Sequence, residues 1–188
     1  MTIRIKKGKA AKHIIKAVEE LAGVDLSECY QCKKCSCGCP VSGLTKSPPS
    51  EIIRRLQLGA GDEILNTEII WICSSCETCF ARCPMGIDMA SVMDALRILA
   101  VKRQAATSKG DIPLFNRVFL KTVNMFGRTY DLVMIAAYKM GTSTVMKDMD
   151  KFPSMLKKRK IAILPPRGAD KKTVKRIFDS VGFRKRQP

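Results

Sequence analysis

The residues in this chain that could do chemistry are cysteines. All nine lie in two runs, 29-CYQCKKCSCGCP-40 and 73-CSSCETCFARCP-84, and each run spells C-x2-C-x2-C-x3-C-P. Cys29, Cys32, Cys35 and Cys39 fill the first pattern; Cys73, Cys76, Cys79 and Cys83 fill the second. Thiolates at this spacing hold [4Fe–4S] cubanes. Three cysteines at steps of three, on a tightly wound backbone, aim their sulfurs at three corners of one cube. The fourth stands further off, and Pro40 or Pro84 behind it fixes φ and turns the chain away. Zinc would take four thiolates tetrahedrally, typically from two separated C-x2–4-C pairs, whereas here a three-plus-one pattern occurs twice. Disulfides are disfavoured because nine is odd, no signal-peptide pattern precedes the cysteines, and ten methionines suit a reducing interior.

The same spacing occurs in bacterial two-cluster ferredoxins, where the fourth cysteine serves the other cluster. That resemblance implies two [4Fe–4S] clusters with crossed ligation. Cys29, Cys32, Cys35 and Cys83 would hold the first, and Cys73, Cys76, Cys79 and Cys39 the second. Cys37 fits no slot. It is read as a buried spare thiol beside the cluster, with an exchange of ligand role with Cys35 or Cys39 as the alternative. Lys33 and Lys34 lie inside the first run, either as solvated charge or to stabilise an anionic cluster and orient a partner. The chain shows no catalytic triad, phosphate loop or acid/base pair, so no catalytic residue is expected on it.

The elements that must position these cysteines read as helices. Residues 9–22 place Ile14, Ile15, Val18, Leu21 and Ala22 on one face, with Gly23 as the stop. His13, the single histidine, has no partner suited to a ligand role. Between the runs, Ser47 or Ser50 with Pro48 and Pro49 opens a helix over 50–58 that Gly59 closes, and Asp62 starts another over 62–72. Trp71 is expected to shield the nearby cluster from water. Asp88 caps a helix over 89–106 with Met89, Val92, Met93, Leu96 and Leu99 along one stripe. Asp111 and Pro113 open a helix carrying Phe115, Val118, Phe119, Val123 and Phe126, and residues 129–140 form another, ending at Gly141. Further on come the basic run 157–160, a short strand over 161–164, a helix from Asp170 to Val181 and a charged tail. The expected organisation is all-α: a cluster domain over 1–108 and a helical, basic extension over 109–188.

Charge is distributed unevenly along the 188 residues. Residues 1–100 carry 13 Lys and Arg against 11 Asp and Glu, a net of +2; residues 101–188 carry 21 against 6, a net of +15. Each cubane with its thiolates adds about −2 to the first half. A basic half calls for an acidic partner surface, nucleic acid or anionic lipid. The tail lacks interleaved aromatics and any nucleic-acid motif, which favours a protein-docking arm over nucleic-acid binding. No run of eighteen apolar residues occurs, so a soluble cytoplasmic protein without membrane attachment is expected.

The helical spacer between the motifs resembles the all-helical ferredoxin type, like the distal cluster domain of succinate dehydrogenase iron–sulfur subunits. With both cysteine motifs and an amphipathic helix leading into the first, residues 9–140 resemble the C subunit of the cytoplasmic heterodisulfide reductases of methanogens. The resemblance implies a non-catalytic electron-transfer component of an oxidoreductase complex. Such a component relays electrons between a flavin-containing A subunit and a catalytic B subunit that reduces the mixed disulfide of coenzymes M and B. A larger assembly linked to a hydrogenase is consistent with it. The alternatives are the iron–sulfur component of a fumarate reductase or of an anaerobic-type glycerol-3-phosphate dehydrogenase, and an Fe–S nucleic-acid-binding protein. Members of the first two groups usually carry a [2Fe–2S] domain or Cys-Cys modules on the same chain, and neither is present here.

Overall fold

Each cysteine run is short and rich in small polar residues, so the apolar helices on either side must supply the core that fixes it. In the computed structural model, residues 9–105, 110–144, 146, 152–158 and 170–181 are described, without the side chains of 9–13, 61, 62, 152 and 156. The chain divides into two compact units, Met1–Gly110 and Asp111–Pro188. Among the described residues all regular structure is helical, and no helix is long and apolar enough to cross a membrane. The expected boundary at 108/109 and the short strand at 161–164 lie outside the described residues, as do Arg159 and Lys160 of the basic run and the tail.

In the first unit, α1 (Lys9–Ala22) packs along α6 (Met89–Lys102). Ile14 and Val18 are fully buried on α1, and Gly23 ends the helix at φ +67, a left-handed turn that glycine adopts without steric cost. Leu21, expected on the buried face, is instead 46% exposed. The stripe Met89, Val92, Met93, Leu96 and Leu99 of α6 is buried as the periodicity predicts. Asp88 caps α6 by accepting from the backbone N–H of Ser91 at 3.0 Å and from its hydroxyl at 2.6 Å. The helix ends at Lys102, short of the expected 106, because Gln104 turns left-handed at φ +51.

Between the runs, α3 (Pro49–Gln57) starts with proline at its first position and no side-chain cap, so neither Ser47 nor Ser50 caps it. Ser50 instead bonds Ser36, through its hydroxyl at 2.7 Å and its N–H at 2.9 Å, tying α3 to α2 (Lys34–Cys37). The helix expected over 62–72 is broken. A 3-10 segment covers Gly61–Asn66, Thr67 is extended, and α4 (Ile69–Ile72) leads into the second run. The break lets Ile64, Leu65, Ile69 and Ile70 all reach the core they share with Ile52, Ile53, Leu56 and Leu26. Full burial of each such side chain contributes about 1.5–3 kcal/mol.

The second unit holds α7 (Asp111–Phe126), α8 (Asp131–Gly141), α9 (Phe152–Lys157) and α10 (Lys171–Ser180), with α7 packed on α8 and α10. Phe115 stacks on Phe119 at 6.3 Å and meets Tyr138 edge-on at 5.8 Å, while Phe126 meets Tyr130 at 5.2 Å. Gly141 does not stop α8 by a left-handed turn. It lies inside the helix against Leu114, whose Cδ2 would be 2.9 Å from a Cβ at that position.

Candidate metal centre

The two cysteine runs share one backbone. Each cysteine of the second pattern lies 44 residues after its counterpart in the first, the separation of Cys35 and Cys79, whose sulfur donates to the Cys35 carbonyl at 3.8 Å. Gln31 (φ +56) and Lys33 (φ +64) in the first run correspond to Ser75 (φ +49) and Glu77 (φ +63) in the second. Left-handed backbone at non-glycine residues is uncommon and is held by its surroundings. Repeated twice in one register, it winds each run so that successive cysteines turn inward, and such turns present backbone N–H groups to an anionic cluster. The left-handed residues Lys33 and Glu77 then start α2 and α5 (Thr78–Arg82), which pack on each other.

Two cavities result. The first is lined by Cys29, Cys32 and Cys35 of the first run and by Cys83 of the second. The second is lined by Cys73, Cys76 and Cys79 of the second run and by Cys39 of the first. Cys79 touches both cavities, and so does Met89 at the start of α6. Ile53, Met85 and Ile87 wall the first cavity, and Ile69 and Met93 the second, with Lys33 and Lys34 at the rim of one and Glu77 at the rim of the other. Among the described residues no three His, Cys, Asp or Glu side chains converge on a site for one metal ion.

The electrostatics of the thiols suit a cationic core. Burial pushes the Cys79 thiol up to about 12, and charge on Cys35, Cys39, Cys73 and Cys76 adds to the rise. Burial also raises Cys35. Cys76, at the exposed end of its cavity, is lowered by the Thr78 hydroxyl 3.4 Å away, which favours the thiolate. Thiols crowded in this way resist ionising together unless iron charge offsets the thiolates. An all-sulfur donor set around each cavity, walled by apolar side chains, fits a cubane.

Two expectations need correction. Cys37, expected to be buried, is exposed at the end of α2 and lines neither cavity. Trp71 packs against the hydrophobic core, and it too lines neither cavity; its indole N–H is buried without a hydrogen-bond partner. Sequence reasoning missed the side chains that tie the runs to their supports. Gln57 Nε2 donates to the Leu26 carbonyl at 2.8 Å. Arg97 donates to the Ile70 carbonyl at 2.5 Å and to the Cys73 carbonyl at 2.6 Å. The 44-residue offset is legible in the cysteine numbering and was the available signal that the two runs are copies of one design.

Comparison with known proteins agrees with this geometry. Residues 25–87 match the family model of a 4Fe-4S dicluster domain. The chain is 38% identical over 85 residues to the iron-sulfur C subunit of the CoB–CoM heterodisulfide reductase of Methanopyrus kandleri, covering 45% of this chain and 44% of that one. It is 30% identical over 131 residues to the second iron-sulfur C subunit of the CoB–CoM heterodisulfide reductase of Methanocaldococcus jannaschii, covering 65% of this chain and 67% of the relative. The chain belongs to the C-subunit family of the heterodisulfide reductases. With its dicluster domain and cysteine pattern, it carries two [4Fe–4S] clusters. The C subunit of the H2:CoB–CoM heterodisulfide,ferredoxin reductase of Methanothermobacter thermautotrophicus is 32% identical over 98 residues, 52% of this chain and 53% of that protein. The chain therefore matches about half the length of several of these relatives.

Proposed function

We propose that this chain relays electrons through its two clusters to a catalytic partner that reduces the heterodisulfide of coenzymes M and B. In this reading Cys29, Cys32, Cys35 and Cys83 hold the first cluster, and Cys73, Cys76, Cys79 and Cys39 the second. The observation that carries it is that each cavity is closed by the Cys-Pro cysteine of the other run. The clusters supply one-electron acceptor and donor levels when bound, tuned by burial and hydrogen bonding. The chain's own residues set the distance and the wall. Cys79 and Met89 touch both cavities, so the two clusters share a boundary and an electron crosses between them without leaving the protein.

The chain's cysteines serve the clusters, and it acts as a non-catalytic component in the cytoplasm. Its partners are the cysteine-rich catalytic B subunit and the flavin-containing A subunit, within an assembly that a hydrogenase can feed. Residues 109–188, which lie in the strongly basic half, form the docking extension for an acidic face of that assembly.

Anaerobic purification of the native complex tests this. The chain should contain about eight irons, co-purify with a cysteine-rich and a flavin-bearing protein, and pass electrons from reduced flavin to the heterodisulfide. A chain that carries zinc without iron, or that never enters such a complex, would sink the reading.

A further inference from the structure

The approach to each cysteine run is tied down by a side chain from the helix that follows that run. Gln57, the last residue of α3, donates to the Leu26 carbonyl, and Arg97 on α6 donates to the Ile70 carbonyl. Leu26 and Ile70 occupy the same place, three residues before the first cysteine of their runs. The two ties do one job with different charge. Gln57 is neutral, and its Oε1 accepts from Gln31 Nε2 at 3.3 Å, which also contacts Cys29 Sγ at 3.4 Å. Arg97 is cationic; its Nη2 holds the carbonyl of Cys73 itself, and its Nη1 pairs with Asp94 at 2.6 Å.

We propose that Arg97 is a positioning residue that sets the order of the two potentials: its charge holds the cluster of the second cavity at the more positive potential, so a single electron rests there. Reduction adds negative charge, which a nearby cation stabilises in proportion to how little water screens it. The Arg97 side chain is 22% exposed. Among the charged residues that line the cavities, Lys33 and Lys34 at the first and Glu77 at the second oppose this order, and all three are exposed. An interaction through water is weaker about fourfold than one at the effective dielectric of about 20 found near a protein surface. Asp94 offsets part of the arginine, but it is 60% exposed and itself screened. Arg82 is exposed and lines neither cavity.

The inference rests on the electron-relay reading but not on the crossed ligation, because Cys76 belongs to the second cluster under either ligand grouping. Anaerobic full-length protein is titrated with reductant and followed by electron paramagnetic resonance. The transition altered in Cys76→Ser identifies the second cluster. In the native chain that transition should be the more positive of the two. Arg97→Gln should move it negative by at least a tenfold change in the distribution of one electron, about 59 mV, and leave the first in place. Arg97→Lys should keep most of the native value, and Asp94→Asn should move it positive. The proposal is overturned if Arg97→Gln retains both clusters with no shift, if Gln and Lys shift it equally, or if the first cluster is the more positive in the native chain. Where Arg97→Gln loses the second cluster, Asp94→Asn decides: a positive shift supports the charge effect and no shift overturns it. A native chain without two reducible clusters would instead defeat the electron-relay reading.

Discussion

Arg82 lies across Gly38, and the two residues hold the same position in the two cysteine runs, each directly before the Cys-Pro cysteine. A Cβ on Gly38 would sit 2.6 Å from Arg82 Nη1 and 2.9 Å from its Cδ. The two copies of one motif therefore meet at a point where one supplies a long cationic side chain and the other supplies none. Gly38 has φ −99, which alanine tolerates, so its glycine is needed for space rather than for backbone freedom.

That relationship predicts a measurable coupling. Gly38→Ala should displace the arginine at modest cost, since its exposed guanidinium can swing away. Combining Gly38→Ala with Arg82→Ala should cost less than the sum of the singles, by about 0.5 kcal/mol or more, as for residues in contact. Thermal unfolding of the four anaerobic proteins gives the cycle. Strict additivity would mean that the contact carries no energy.

Asp88 predicts a second effect, on the wall common to both cavities. Its carboxylate is held below the usual 3.8 by the Ser91 hydroxyl and then by the Ser91 N–H. Asp88→Ala should cost about 1 kcal/mol and loosen the first turn of α6, where Met89 lines both cavities. Because the folded-state value is depressed, the stabilisation is present above pH 3.8 and is lost as pH falls through the lower folded value. The gap between native and Asp88→Ala unfolding midpoints should thus narrow below pH 3.8. A gap that widens in acid would contradict the cap.

The helices were legible where periodicity and caps agreed. Asp88 and the Met89–Leu99 stripe, or Ile14 and Val18 before Gly23, are local patterns whose burial follows from a 3.6-residue repeat. The break at Thr67 was not legible, because Asp62–Ile72 has the composition of one helix. Burying Ile64 together with Ile70 in one core overrides that local preference. The eight cysteines that line the cavities were all readable from spacing. Their ties were not: Gln57 and Arg97 are ordinary polar residues, distant in sequence from the carbonyls they hold, and only the fold brings them there. Cys37 was misjudged for a related reason, since cysteine is usually buried, but the end of α2 faces water here.

That exposure makes Cys37 a probe of the ligand set. If the eight cysteines of the two patterns hold the iron, the native protein should present one alkylatable thiol. Iodoacetamide under anaerobic conditions should label Cys37 alone, as mass spectrometry of the digested chain would report, and leave the cluster absorption unchanged. Labelling at Cys35 or Cys39 with Cys37 protected would show that Cys37 has taken a ligand's place.

Trp71 offers a test of its unpaired donor. A buried N–H without a partner costs about 1–3 kcal/mol, so Trp71→Phe removes a penalty while it loses packing. The net change in unfolding free energy should stay within about 1 kcal/mol, against about 3–5 kcal/mol for Trp71→Ala. A Phe variant as unstable as the Ala variant would show that the indole N–H has a partner in the loaded protein.

The crossed ligand set gives the prediction in which chain neighbours and cavity neighbours disagree. Cys83 is four residues from Cys79, so sequence proximity would assign it to the second cluster. It lines the cavity of Cys29, Cys32 and Cys35 instead, while Cys39 lines that of Cys73, Cys76 and Cys79. The cause is local. α5 ends at Arg82, and Cys83 is extended at φ −80 and ψ 119, so its side chain leaves the turn that points Cys79 inward. Pro84 then forbids the chain from resuming the helix. Cys83→Ser should therefore convert the first cluster to a three-iron form or leave it with a weak oxygen ligand, and Cys39→Ser should do the same to the second. The two are told apart by the paramagnetic signal that Cys32→Ser or Cys76→Ser alters, since those cysteines belong to one run on any assignment. If Cys83→Ser spares the signal marked by Cys32 and damages the one marked by Cys76, each run holds its own cluster. The runs would then be independent beads, and the boundary shared at Cys79 and Met89 would no longer bring the two clusters close enough for direct relay.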